Sequence, residues 1–165
     1  MKNKDRILAL AKSYDLMRKE TLRILKLAKS SVVSINDAQI IHSYLDKTDF
    51  YYKDDLFPII KLIERYKIKS SLKKLWGEYT AIEKELLKTK IDFKNLGLKN
   101  ISIGPISVHA DLNNDSVLSI TTNLNEDRLA IDIFPNDEGT QSDTYVKFIE
   151  EFKTKINNFL EKEIK

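Results

Sequence analysis

The first half of the chain repeats its apolar side chains at alternating spacings of three and four residues. Between Asp5 and Ser30 this stripe continues for three heptads without proline or glycine, which predicts a long amphipathic helix. Similar patterns predict three further helices, over residues 35–46, 54–67 and 70–90. The apolar stripe of the first helix consists of Ile7, Leu10, Tyr14, Met17, Thr21, Ile24 and Ala28.

Polar residues indicate where these helices begin. Ser34, followed three residues later by Asp37, forms a capping box for the second helix. Pro58 falls in the first turn of the third helix, where its missing N–H costs little. The other cap candidates are Asp54 or Asp55 for the third helix and Ser70 or Ser71 for the fourth.

The periodicity changes from helical to alternating after residues 92–100, which predicts a loop between a helical region (1–92) and a β region (99–165). Three alternating runs follow, separated by polar turns, and they predict a three-stranded antiparallel meander with one apolar face. Ile101 and Ile103 either extend the first strand or form a fourth, with Gly104-Pro105 as a kink. The apolar positions of the three runs are Ile106, Val108, Ala110 and Leu112; Leu118, Ile120, Thr122 and Leu124; and Leu129, Ile131 and Ile133.

A last helix is predicted from Ser142, its expected cap, to near the end of the sequence. Because a three-stranded sheet needs cover on its apolar face, this helix is expected to pack there. The expected fold is therefore α+β: a four-helix region, then the meander and the C-terminal helix, in one compact unit. The apolar face of the last helix consists of Tyr145, Ile149, Phe152, Ile156 and Phe159.

The composition excludes several classes of protein and of site. The absence of cysteine excludes disulfides and thiolate metal sites and fits a reducing compartment. No stretch approaches 18 apolar residues, so no membrane span is predicted, and the run from Ile7 to Ala11 is too short for a signal-peptide core. A cytoplasmic protein is expected. The preference for lysine and isoleucine follows AT-rich codons, which fits an AT-rich bacterium, phage or plasmid, and hence a mobile element, as the source.

Charge is unevenly distributed along the chain. The net charge is +3, but residues 1–92 hold twenty basic and thirteen acidic side chains, a net of +7, whereas residues 93–165 carry −4. The predicted first helix holds much of this excess, so it is a candidate surface for nucleic acid or an acidic partner. Lysine outnumbers arginine, which favours diffuse electrostatics over base reading. The candidate residues are Lys12, Arg18, Lys19, Arg23 and Lys26.

Catalytic motifs are sparse. The four glycines are isolated, so no glycine-rich phosphate loop is present. The best enzyme-like set is His109, Asp111 and Asp132 on the polar face of the meander, where a hydrolytic metal site is the alternative to a solvated or partner-facing surface. In a simple meander the middle strand separates His109 from Asp132 by two strand spacings, about 9–10 Å, too far to share one ion. No cofactor or metal is expected.

The function favoured by the sequence is a non-enzymatic interaction or regulatory protein that binds a protein partner or itself. The first-helix stripe serves either the core or an interface, and the aromatic cluster Phe50, Tyr51 and Tyr52 is a candidate partner patch. The alternatives are a sequence-tolerant nucleic-acid-binding protein that uses the basic first helix, and a small metal-dependent hydrolase that uses the meander face.

Overall fold

A computed structural model describes residues 1–31, 34–45, 56–112, 115–135 and 143–163. The fold is α+β, as predicted, with helices before and after an antiparallel sheet. In chain order the elements are α1 (Asn3–Ser30), α2 (Ile35–Leu45), α3 (Phe57–Arg65), α4 (Leu72–Lys88), α5 (Lys90–Asn95), β1 (Lys99–Ile103), β2 (Ser107–Asp111), β3 (Val117–Asn123), β4 (Arg128–Phe134) and α6 (Asp143–Leu160).

The chain divides into two compact units. Residues 12–81 form one, called here the helical unit, and residues 1–11 with 82–165 form the other, the sheet unit. This division differs from the one drawn from periodicity, because α1 and α4 each contribute residues to both units. No helix in the described part of the chain is both long and apolar enough to cross a bilayer.

The apolar stripe of α1 is buried within the chain. Every stripe residue is at most 8% exposed, and Ile24 and Ala28 are completely covered. The alternative use of this stripe, as a seam between two molecules, is therefore wrong for the described structure.

The starts of α2 and α3 follow local chemistry. The Asp37 N–H donates to Ser34 Oγ at 3.1 Å, which confirms the predicted Ser34 cap. Pro58 lies in the first turn of α3, as predicted, and Leu56 at the N-cap position makes no side-chain capping bond. The predicted Asp54 and Asp55 caps lie outside the described residues, as does the predicted Ser142 cap of α6.

The predicted loop at residues 92–100 is wrong in part, because α4 ends at Lys88 and a separate short helix, α5, follows. Thr89 interrupts the helix, and its hydroxyl donates to the Leu86 carbonyl at 2.6 Å. The six residues of α5 place Phe93 in the core, 1% exposed. A single apolar anchor has no periodicity, which is why the helix was not predicted.

The sheet has four antiparallel strands in the order β1-β2-β3-β4. The fourth-strand alternative is therefore confirmed, with residues 99–103 as β1. The alternation in β2 is confirmed, since Val108 and Ala110 are buried and His109 between them is exposed. In β3 Leu118 and Ile120 are completely buried, as predicted, but Ser119 on the predicted polar face is buried as well. Ile106, expected on the apolar face, precedes β2 and is 39% exposed.

The last helix, α6, covers the apolar face of the sheet, as predicted. Its Phe152, Ile156 and Phe159 are buried, and the Tyr145 hydroxyl lies 2.9 Å from Ser116 Oγ beside β3. The ring of Phe159 also packs on Phe93 of α5, with centroids 4.6 Å apart. The core of the sheet unit therefore lies between α5, α6 and the inner face of the sheet.

The first residues of α1 are attached to the end of α6 within the sheet unit. Asn3 is buried and its Nδ2 donates to the Phe159 carbonyl at 2.8 Å. Lys2 and Lys4 both pair with Glu161, at 2.8 and 2.7 Å, and they lower the pKa of that carboxyl to about 2. Because these ion pairs are exposed, they add little free energy, and the buried amide of Asn3 is the stronger attachment.

Candidate interaction site

The structure does not bring the predicted metal-type residues together. His109 faces Ser119 across β2–β3, and Ser119 faces Asp132 across β3–β4, so β3 stands between His109 and Asp132. His109 Nε2 lies 2.8 Å from Ser107 Oγ, and Asp111 Oδ2 accepts a hydrogen bond from Asn100. In the described residues no group of three or more acidic or histidine side chains is arranged to hold a metal ion.

The predicted basic set on α1 is only partly available to a partner. Lys19 pairs with Asp15 at 2.8 Å on the same helix. Arg23 forms a bidentate pair with Glu20 and donates to the Lys69 carbonyl at 2.7 Å, so its guanidinium serves an internal contact. Lys12, Lys19 and Lys26 recur every seven residues and therefore lie on one side of α1. Arg18 lies about a third of a turn around the helix from Lys19 and is half-buried.

Glu20 is the centre of a network that the sequence pattern does not predict, because its partners lie about fifty residues further along the chain. One carboxylate oxygen accepts hydrogen bonds from Ser70 Oγ at 2.8 Å and from the Ser71 N–H at 3.0 Å, directly before α4. Together with Arg23, these donors lower the pKa of Glu20 to about 2. The predicted serine cap is confirmed as well, because Ser70 Oγ accepts from the Leu72 N–H at 3.0 Å. This network attaches α1 to α4 and serves structure, not binding.

A second network holds α2 to the end of α3. Asp37 is 1% exposed and forms an ion pair with Arg65, and it accepts a hydrogen bond from the Tyr66 hydroxyl at 2.6 Å. Arg65 and then Tyr66 lower the pKa of Asp37, and the carboxylate in turn raises the pKa of Tyr66. Because both carboxylate oxygens already have partners, this cluster is not available as an acid, a base or a ligand.

The predicted aromatic patch, Phe50, Tyr51 and Tyr52, lies outside the described residues.

The two edges of the sheet differ in regularity. β1 carries a register shift between Lys99 and Ser102, and Asn100 has a left-handed backbone, with φ of 52°. Such irregularities disfavour pairing with another strand. β4 instead pairs with β3 through seven successive residues without a shift, and no described strand pairs with its other edge.

The side chains of β4 make this open edge suitable for strand addition. Leu129, Ile131 and Ile133 point to the face that α6 covers, yet each remains half-exposed because it lies at the margin of the sheet. A groove of about 200 Å³ opens beside Leu129 and Ile131. Natural edge strands commonly carry charged side chains, proline or a bulge that blocks pairing. The span of β4 has no lysine, proline or bulge, and its charged side chains are Arg128 and Asp132.

The opposite face of β4 carries one charge of each sign. Arg128 and Asp132 are both exposed, lie four residues apart and point to the same side. Arg128 pairs with Glu126 in the preceding turn, whereas Asp132 has no ion pair among the described residues. A strand with this arrangement is complementary in charge to an antiparallel copy of itself.

Comparison with known proteins found no relative of this chain. No family model matches the chain, and neither does any curated protein or solved structure at a significant level.

Proposed function

We propose that this is a non-enzymatic interaction protein that self-associates by pairing β4 with β4 of a second copy. The observation that supports this proposal most is the regular edge of β4, with which no strand in the described part of the chain pairs. Strand addition at such an edge obtains affinity from backbone hydrogen bonds and specificity from alternate side chains. A cytoplasmic location belongs to the same proposal, supported by the cysteine-free composition.

Charge and side-chain size favour a second copy as the occupant. In an antiparallel register centred on Ala130, Arg128 of each copy faces Asp132 of the other, and the two-fold axis produces this pair twice. On the α6 side, Leu129 of each copy faces Ile131 of the other, which extends the apolar face of both sheets. The small Ala130 lies at the axis, where bulk would be least tolerated.

The test is analytical ultracentrifugation of the full chain and of charge-reversed variants. Wild type is expected to be a dimer at high micromolar concentration. Arg128→Asp alone, or Asp132→Arg alone, places like charges opposite each other at both symmetric positions. At about 1 kcal/mol per pair this costs about 2 kcal/mol, roughly a thirtyfold weaker Kd.

The double variant Arg128→Asp/Asp132→Arg exchanges the two charges and is expected to restore the wild-type Kd, because the exchanged pair is again complementary. Lys155→Glu, an exposed charge reversal on α6, is the matched control and is expected to leave the Kd unchanged. A strictly monomeric wild type, or a dimer that both single variants leave intact, would overturn the proposal.

Sequence-tolerant nucleic-acid binding through α1 is the second candidate. It is supported by the helical unit, whose seventy residues include fourteen basic and nine acidic side chains, a net of +5. The expected log–log salt slope is about −0.9 per phosphate contact on duplex DNA. Changing Lys12, Arg18, Lys19 and Lys26 to glutamate should abolish binding, and undetectable binding of wild type to DNA and RNA at low salt would remove this candidate.

A further inference from the structure

A basic cleft lies between α5 and β1 in the sheet unit. It is widely open to solvent and has a volume of about 580 Å³. Three of its lining side chains are lysines. The lining residues are Lys90, Lys94, Leu98, Lys99, Asn100 and Ile101.

The cleft exists because the chain reverses sharply after α5. Gly97 has a φ of 93°, a region that favours glycine, and its N–H donates to the Lys94 carbonyl at 2.9 Å. The Leu98 N–H reaches back to the Phe93 carbonyl at 3.3 Å, which completes a Schellman motif. The reversal places Lys99, at the start of β1, beside the lysines of α5.

No acidic side chain among the described residues pairs with any of the three ammonium groups. Lys90 and Lys94 are one helical turn apart, a spacing at which like charges destabilise a helix. In the described part of the chain, none of the three lysines makes an ion pair or a side-chain hydrogen bond, whereas Lys88, nearby on α4, pairs with Glu85 at 3.0 Å. Among the residues that the structure describes, no carboxylate lines the cleft.

The acidic side chain opposite Lys99 in the sheet already has a hydrogen-bond partner. Asp111 is the register partner of Lys99, but its carboxylate accepts from Asn100 Nδ2 at 2.9 Å and forms no ion pair with Lys99. The lysines of the cleft are therefore available to an external anion.

We propose that this cleft binds a small molecule that carries two or more phosphate groups. Lysine ammonium groups are point charges that bind phosphate well without requiring a planar, bidentate acceptor. Ile101, half-buried beside the lysines, provides an apolar contact for a non-ionic part of the ligand, and the buried Leu98 lies behind it. This binding site is independent of the β4 edge and does not rest on the proposed self-association.

The test is isothermal titration of the full chain with pyrophosphate, triphosphate and ATP at low salt. We expect saturable binding to at least one of them. The variant Lys90→Gln/Lys94→Gln/Lys99→Gln is expected to bind at least tenfold more weakly. The matched control, Lys147→Gln/Lys153→Gln/Lys155→Gln on α6, loses the same charge and is expected to bind as wild type does. Tighter binding of ATP than of triphosphate would support contact with Ile101, and equal affinity would support recognition of phosphate alone.

Three results would overturn the proposal: no binding by wild type, equal weakening in both triple variants, or a cleft variant that binds as wild type does. A fourth would be cleft-dependent binding of duplex DNA without binding of the small phosphates, since that would assign the lysines to nucleic acid. Circular dichroism of each variant verifies folding, and the single change Lys94→Gln, which removes one exposed charge, provides a milder variant expected to weaken binding in the same direction.

Discussion

Glu20 lies on α1, and its carboxylate contacts the residues directly before α4. Replacing Glu20 by glutamine removes this negative charge and leaves the shape of the side chain almost unchanged. In the wild type this carboxylate accepts hydrogen bonds from Arg23, from Ser70 Oγ and from the Ser71 N–H. It is 12% exposed, so water competes weakly for these positions. The variant is therefore expected to be less stable at neutral pH.

The size of the effect follows from the pKa of Glu20. A fall from 4.5 to about 2 corresponds to about 3 kcal/mol in favour of the ionised form. That value is an upper bound, because Arg23 is 48% exposed and solvent screens the pair. The favourable position of an anion near a helix N-terminus contributes about 0.3–1 kcal/mol on its own. We therefore expect Glu20→Gln to lower the free energy of unfolding by about 1–2 kcal/mol at pH 7.

The pH dependence tests the cause. Because the pKa of Glu20 is lower in the folded state, its contribution is fully present above its ordinary value of 4.5 and is lost as pH falls towards about 2. Urea denaturation of wild type and variant across this window should show the difference in unfolding free energy shrinking with acid. The matched control is Glu78→Gln, an exposed change on α4 that should have almost no effect. A difference that is independent of pH, or as small as that of the control, would refute the assignment.

Three further changes test the packing and the turns. Ile156→Ala removes a completely buried side chain from α6 and should lower the free energy of unfolding by about 2–5 kcal/mol in urea denaturation, whereas a loss below about 1 kcal/mol would contradict its place in the core. Gly97→Ala forces a side chain into a backbone with φ of 93° and should cost about 1–2 kcal/mol by the same assay; an unchanged midpoint would contradict the turn geometry. Arg65→Gln removes the counter-ion of the buried Asp37 carboxylate and should lower the thermal midpoint at pH 7 by more than Asp37→Asn does, since Asp37→Asn leaves only the half-exposed Arg65, which water can solvate; the reverse order would contradict the burial of Asp37.

Local periodicity accounts for much of the fold that was predicted. The stripe in α1 and the alternation in β2 and β3 indicate element type because a helix repeats every 3.6 residues and a strand every two. The Ser34 cap was equally accessible, since donor and acceptor lie three residues apart. The sequence also predicted that His109 and Asp132 cannot share a metal ion, because the strand order of a meander places one strand between them.

The sequence by itself determined which segments are helical or extended, which faces are apolar and that the helical half carries the positive charge. Tertiary structure decided how those segments are used. Glu20 meets Ser70 fifty residues away, and Lys99 lies beside Lys94 only because of the turn at Gly97. The open edge of β4 was likewise invisible, because alternation does not show which strand lacks a neighbour. Periodicity describes one element at a time, whereas ion pairs, clefts and sheet edges depend on which elements meet.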